Sequence, residues 1–397
     1  MASSYPTDYE TRDRGYCTQS TQGEAPTAND AQGKAPTRFE KAHEVYEVVQ
    51  RFLQPLPLVQ LLGQIQKSGL KVLRKDMGDI GQQIGKGAFS DVYRYGGFQE
   101  KSWFNDTYPG YAYLGRRASP GLVALKRIIE KADDDGLRLY LSISNEIRTL
   151  SIESLKDHKN ITELYRVVWE DRSDDGAAWP TLVVEYCPAS LSQLLFRYEG
   201  ALAKKALDLP IKGDILEGIL NGIEALHLEG IVHGDVKTDN VLVVYEGTPA
   251  KIIPKLSDFG NSVLIKDNEF VNIGGTKRWM APELYPKETY RGRISASFAD
   301  MTDLYSYGLL VWVVVKDGVD RLGELASRIR LPCPYEARLR ELKNRKDVAA
   351  VAAADAADIL ESDPPLAKRF SNMLNALLLP LPAERADRWK RGCGRTR

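Results

Sequence analysis

Two short segments in fixed order constrain this chain more than anything else in it: His233-Gly234-Asp235-Val236-Lys237-Thr238-Asp239-Asn240, then Asp258-Phe259-Gly260. In the first, Asp235 can accept a hydroxyl proton, Lys237 can neutralise a moving phosphate, and the amide oxygen of Asn240 can hold a metal. The second supplies a carboxylate, Asp258, suited to Mg²⁺. Either string arises by chance, and most isolated aspartates are merely solvated. Their order and spacing together carry the reading, which points to ATP-dependent phosphoryl transfer.

The flanking sequence adds to it. Ile84-Gly85-Lys86-Gly87-Ala88-Phe89-Ser90-Asp91-Val92 reads as a strand-turn-strand whose backbone can approach phosphates closely, although a lone G-x-G is more often an ordinary hairpin. Val123-Ala124-Leu125-Lys126 follows, a buried strand ending on one ammonium group. Glu146 lies on a segment with helical apolar spacing and can clamp Lys126 against the α- and β-phosphates. Further on come Gly275-Thr276-Lys277-Arg278-Trp279-Met280-Ala281-Pro282-Glu283 and Asp303-Leu304-Tyr305-Ser306-Tyr307-Gly308.

With this series complete, the chain resembles the eukaryotic protein kinase superfamily over residues 78–397. The resemblance implies an α+β, bilobal fold: a β-rich smaller lobe with one key helix (78–187) and a mainly helical larger lobe (188–397). It implies ATP and Mg²⁺ as cofactors, and a protein with a serine or threonine hydroxyl as the acceptor. Asp235, Lys237, Lys126 and Glu146 take the catalytic positions, and Asn240 and Asp258 the metal positions. Ile84, Gly85, Gly87, Val92, Ala124, Lys126, Leu242 and the hinge residues Glu185 and Cys187 take the nucleotide positions, with Val184 as gatekeeper. Glu283 matches a carboxylate paired with Arg385, and Asp303 an aspartate anchoring the catalytic loop. Leu150, Leu164, His233 and Phe259 match a stacked spine, which is also plain core packing.

The 43% hydrophobic content is ample for a large core, and 54 basic residues balance 54 acidic ones, so nothing in the charge suggests a nucleic-acid or anionic-membrane partner. The longest purely apolar run, Leu309–Val315, is too short to span a bilayer, and no secretory signal is recognised, so a cytoplasmic or nuclear location is expected. Four scattered cysteines suggest neither disulfides nor a zinc site. Residues 1–37, with the near-repeat Gln22–Thr27 and Gln32–Thr37, read as a disordered polar tail. Residues 38–77 read as an amphipathic helical extension: a capped stripe from Phe39 to Leu53, then a second from Leu58 to Leu73. It either packs on the body or serves a partner or self-association. Residues 94–121 read as an insertion and a surface loop.

Two departures from the family pattern matter. Gly234 stands where many kinases carry an arginine that receives an activation-loop phosphate, and the loop up to Glu283 offers few acceptors, Ser262 and Thr276. Ser90 replaces a third glycine. Lys237 with Thr276 favours serine/threonine specificity, Thr276 being expected to hydrogen-bond Asp235 and Lys237 through its hydroxyl. Two rivals stand beside this reading: a pseudokinase acting as a binding module, and a small-molecule phosphotransferase of the aminoglycoside-kinase type.

Overall fold

Short β-branched runs dominate the first half of the chain and long apolar-striped segments the second, which divides it between sheet and helix. A computed structural model describes residues 55–67, 70, 72–75, 81–87, 90–96, 122–128, 136–170, 180–196, 207–247, 251–265, 270–285, 293–330 and 333–392. These residues form two lobes. The smaller contains α1 (Pro55–Lys67), β1 (Val72–Lys75), β2 (Gln83–Lys86), β3 (Ser90–Tyr95), β4 (Val123–Ile128), α2 (Gly136–Leu150), β5 (Leu164–Glu170) and β6 (Thr181–Glu185). Its sheet runs β1-β5-β6-β4-β3-β2. All neighbours are antiparallel except β1, which runs parallel to β5.

The larger lobe opens with β7 (Ala189–Ser190), α3 (Leu191–Phe196) and α4 (Leu209–Leu228), then β8 (Ile231–Val232) and the hairpin of β9 (Val241–Glu246) and β10 (Lys251–Leu256). Short strands β11 (Val263–Leu264), β12 (Phe270–Asn272) and β13 (Arg293–Ser295) lead to α5 (Asp300–Val315). Helices α6 (Arg321–Arg328), α7 (Tyr335–Lys343), α8 (Asp347–Ile359), α9 (Pro364–Leu377) and α10 (Pro382–Gly392) complete it.

Helix α5 is apolar nearly all round, so it must be enclosed, and every residue from Met301 to Val315 is buried. The stretch Ala296–Val315 has the length and composition of a membrane span, yet 89% of its apolar window is buried within the protein, as in a core helix. Prolines begin α9, where a missing N–H costs nothing.

The apolar spacing from Leu58 to Leu73 predicts one helix outside the lobe. Instead α1 stops at Lys67, and Val72–Lys75 joins the sheet, Val72 opposite Val167. The β-branched Val72 at its start favours the strand. Leu61 and Ile65, one turn apart, are fully buried in the core that includes α2. Gln64 Nε2 donates to the Ser144 carbonyl at 2.6 Å, and the Ser144 hydroxyl donates back to Gln64 Oε1. The expected insertion at 94–121 also begins later, since Arg94 and Tyr95 lie in β3, Tyr95 opposite Val123. The tail 1–37, the stripe Phe39–Leu53 and residues 97–121 lie outside the described residues.

Because Leu61 is enclosed between α1 and α2, Leu61→Ala is expected to lower unfolding free energy by about 2–5 kcal/mol. Urea titration checks this.

Candidate active site

Strand alternation aims β4 in two directions. Val123 and Leu125 enter a small apolar cluster with Tyr95, Val168 and Val183, which leaves Ala124 and Lys126 on the opposite face. On α2, buried Leu139, Ile143, Ile147 and Leu150 hold one face to the core and bring Glu146 toward the sheet. Lys126 Nζ donates to Glu146 Oε2 at 2.7 Å and Oε1 at 2.9 Å, and also to Asp258 Oδ1 at 2.9 Å. Burial opposes the charge on Lys126, but Asp258 and Glu146 more than offset it and raise its pKa. The Lys126 ammonium holds the Asp258 carboxyl below its ordinary range against burial. Burial pushes Glu146 up, with Asp258 adding to this and Lys126 opposing it.

Across the lobes, Asp303 on α5 organises the loop after β8. Its Oδ2 accepts the His233 N–H at 2.7 Å, its Oδ1 the Gly234 N–H at 2.9 Å, and His227 Nε2 lies 2.9 Å from Oδ2. Burial alone would raise this carboxyl; the His227 hydrogen bond and charge, the His233 ring and the Gly234 N–H bring it below the ordinary range instead. Gly234 has φ +77° and Gly275 φ +121°, conformations that L side chains rarely adopt. A Cβ on Gly234 would stand 2.6 Å from the Asn261 carbonyl oxygen, and one on Gly275 2.3 Å from that of Gly234.

This close approach lets Thr276 N–H donate to Asp235 Oδ1 at 2.8 Å. Asp235 Oδ2 accepts from Lys237 Nζ at 2.7 Å and Asn240 Nδ2 at 3.1 Å, and Asn240 Nδ2 also reaches the Asp235 carbonyl at 2.9 Å. Lys237 Nζ donates to Thr276 Oγ1 at 2.8 Å. The expectation for Thr276 therefore needs one correction: its hydroxyl meets Lys237, but its backbone N–H, not the hydroxyl, meets Asp235. A backbone donor there is fixed by the Gly275 turn and needs no rotamer.

Asp258 adopts left-handed φ of 63°. Its neighbour Phe259 is fully buried with its ring 5.1 Å from that of His233, and Leu150 and Leu164 are buried in the same core. Asn145 Nδ2 donates to the Gly260 carbonyl at 3.3 Å, and the Thr149 and Ser262 hydroxyls share a buried hydrogen bond of 2.9 Å. Asn240 spends its amide nitrogen on Asp235, which leaves its oxygen for a cation. With the anionic Asp258, whose side chain is 46% exposed, this is an all-oxygen pair of the kind Mg²⁺ takes together with phosphate oxygens. The residues present fit that ion.

At the nucleotide positions, Ile84 on β2 is exposed, Val92 on β3 is half-buried and Ala124 buried beside Val184. Leu242 packs on Cys187, Val244 and Ile253. Gly85 pairs with Val92, and Gly87 N–H turns back to the Ser90 carbonyl at 2.6 Å. Burial raises the Cys187 thiol, so it packs as a small apolar group. The side chain of Glu185 is buried against Lys255 at 2.9 Å, which leaves only its backbone to a nucleotide. Sequence reasoning missed this pair, since an isolated lysine in a strand gives no signal of its partner. Farther along, Glu283 is ion-paired with fully buried Arg385, whose guanidinium lies 5.2 Å from the Tyr305 ring centroid, and Arg278 pairs with Asp320.

The family described as protein kinase domain matches residues 109–319, just over half of the chain. Mitogen-activated protein kinase kinase kinase A of Dictyostelium discoideum is 34% identical over 209 residues, 51% of this chain and 19% of that protein. Mitogen-activated protein kinase kinase kinase dlk-1 of Caenorhabditis briggsae is 28% identical over 172 residues, 42% of this chain and 17% of that one. The mouse inhibitor of nuclear factor kappa-B kinase subunit epsilon is 28% identical over 169 residues, covering 42% and 22%. The chain thus spans about a fifth of the length of these relatives.

Because the folded Asp303 carboxyl sits below its ordinary range, its contribution to stability is complete above the unfolded value of about 4. It is lost as pH falls through the folded value. Asp303→Asn offers one acceptor oxygen where two N–H groups need one each, an expected cost of about 1–3 kcal/mol. Urea midpoints measured across acidic pH should fall less steeply in the variant than in the parent.

Proposed function

Since the chain belongs to the protein kinase family, we propose that it transfers the γ-phosphate of ATP to serine or threonine hydroxyls of protein substrates in a Mg²⁺-dependent reaction. The observation that carries this is the joined polar set. Lys126 is shared by Glu146 and Asp258 across the lobes, while Asp235 is oriented by Lys237, Asn240 and the Thr276 N–H. A binding-only role would not require all of these groups, and a small-molecule kinase would not require the Glu283–Arg385 pair beneath the segment after Thr276.

In this reading Ile84, Val92, Ala124 and Leu242 flank the adenine, and the backbones of Glu185 and Cys187 hydrogen-bond its edge. Gly85 and Gly87 bring backbone close to the phosphates, and Lys126, held by Glu146, orients them. Bound Mg²⁺, held by Asp258 and Asn240, would supply positive charge to the phosphate oxygens. Asp235 accepts the hydroxyl proton of the substrate, and Lys237 offsets charge on the phosphate in transit. Two relatives are named as kinases of kinases, so a protein kinase is a reasonable trial substrate. Such a reaction belongs in the cytoplasm or nucleus.

Control by phosphorylation of the 258–283 segment fits poorly. Gly234 offers no cation, Ser262 is fully buried against Thr149, and Thr276 sits on Lys237. Phosphatase-treated protein is expected to keep its activity; a large loss tracking dephosphorylation of Ser262 or Thr276 would contradict this.

The chemistry is tested by Asp235→Asn, expected to lower transfer to a generic protein substrate by at least ~10²-fold while ATP affinity in titration holds. Asp258→Ala should remove the Mg²⁺ dependence of nucleotide binding. Turnover like the parent's in Asp235→Asn would refute the assignment.

A further inference from the structure

Helix α7 ends on Lys343, which is 0% exposed. Its three N–H donors all go to backbone carbonyls, of Lys277 at 3.0 Å, Arg278 at 2.9 Å and Met280 at 2.7 Å. Nζ also lies 5.3 Å from the Tyr285 ring centroid and 5.9 Å from that of Tyr305. An ammonium group is costly to bury without a carboxylate. Three carbonyls and two ring faces use its full donor capacity and its charge, which a leucine of similar volume could not do.

The segment it holds adjoins the chemistry. Residue 276, immediately before it, is tied to Asp235 and Lys237. Glu283, three residues after Met280, is tied to Arg385. Between those anchors the carbonyls turn inward to Lys343, and the Tyr285 hydroxyl adds a bond to the Lys277 carbonyl at 2.7 Å. The side chains of Lys277 and Arg278 pair sideways, with Glu336 and Asp320.

We propose that Lys343 is a positioning residue for the protein substrate: it fixes the backbone of residues 277–280 as the bed beside Asp235 on which the acceptor segment lies. This rests on the protein kinase reading above. Lys343 acts only as a cation, because a neutral amine has two N–H groups for three carbonyls. Its surroundings oppose that charge. Burial first, then Arg278, push its pKa well below the ordinary lysine range, while Glu283 and Asp320 pull it back. Arg385, Tyr285 and Tyr305 are the other titratable groups nearby. Rising pH therefore removes the third donor before other lysines titrate.

The test compares the full chain with Lys343→Met and Lys343→Arg, using a generic protein substrate and, separately, ATP hydrolysis with water as acceptor. In Lys343→Met the KM for the protein substrate is expected to rise at least ~5-fold, about the loss of one hydrogen bond. KM for ATP and the hydrolysis rate should stay within about twofold, and Lys343→Arg should recover part of the loss. The parent protein's own profile keeps the test open if a variant does not fold: KM for protein substrate should rise with pH while KM for ATP stays level. An unchanged KM in Lys343→Met, a parallel change in both KM values, or a level parent profile would overturn the proposal. Absence of transfer by the parent would instead defeat the kinase reading and this inference with it, and it is seen before any variant is compared.

Discussion

Everything in the site hangs from a carboxylate that water does not reach. Asp303 sits on α5, buried from Met301 to Val315, and binds two consecutive backbone N–H groups and a histidine. A buried anion is tolerated only with such a donor set. The loop carrying Asp235 is thereby fastened to the core of the larger lobe. The ring of His233 is held where Phe259 packs on it, and Phe259 delivers Asp258 to Lys126. One anchored loop thus sets the geometry of groups on both sides of the interlobe space.

The smaller lobe solves a different problem. Lys126 serves two carboxylates, so the cluster of three carries an excess negative charge, which a divalent cation next to Asp258 would offset. Glu146 can take part only while α2 stays packed inward. Ser144, two residues away, is gripped by Gln64 of α1, and Asn145 by the Gly260 carbonyl. The segment preceding the sheet is thus mechanically continuous with the ion pair, through a helix whose polar and apolar faces are both engaged.

Much of this was legible in the sequence because the groups that do chemistry sit in short, ordered strings. The β4 run, the α2 stripe, the two acidic segments and the pairing of Glu283 with Arg385 follow from spacing or resemblance. What escaped was set by contacts distant in sequence. Lys255 and Lys343 look like ordinary lysines until the fold encloses them, and only the backbone trace reveals their partners. Val72–Lys75 is too short for periodicity to separate a strand from a helix end; hydrogen bonding to β5 decided it. The Thr276 hydroxyl meets Lys237 as its place in the sequence implies, but Asp235 is met by the backbone N–H instead, since no residue pattern tells which donor a turn will present. Gly275, which makes that turn, reads as mere punctuation until its carbonyl neighbour is seen.

The paired glycines at 234 and 275 also bear on which side chains this site can accept. Any side chain at 234 would have to accept a left-handed backbone and displace the Asn261 carbonyl, while the carbonyl of 234 itself faces Gly275 with no room for a Cβ. An arginine set at 234 in this backbone would push on the segment that follows Asp258, so the metal-side carboxylate and a phosphate receptor compete for the same few ångströms.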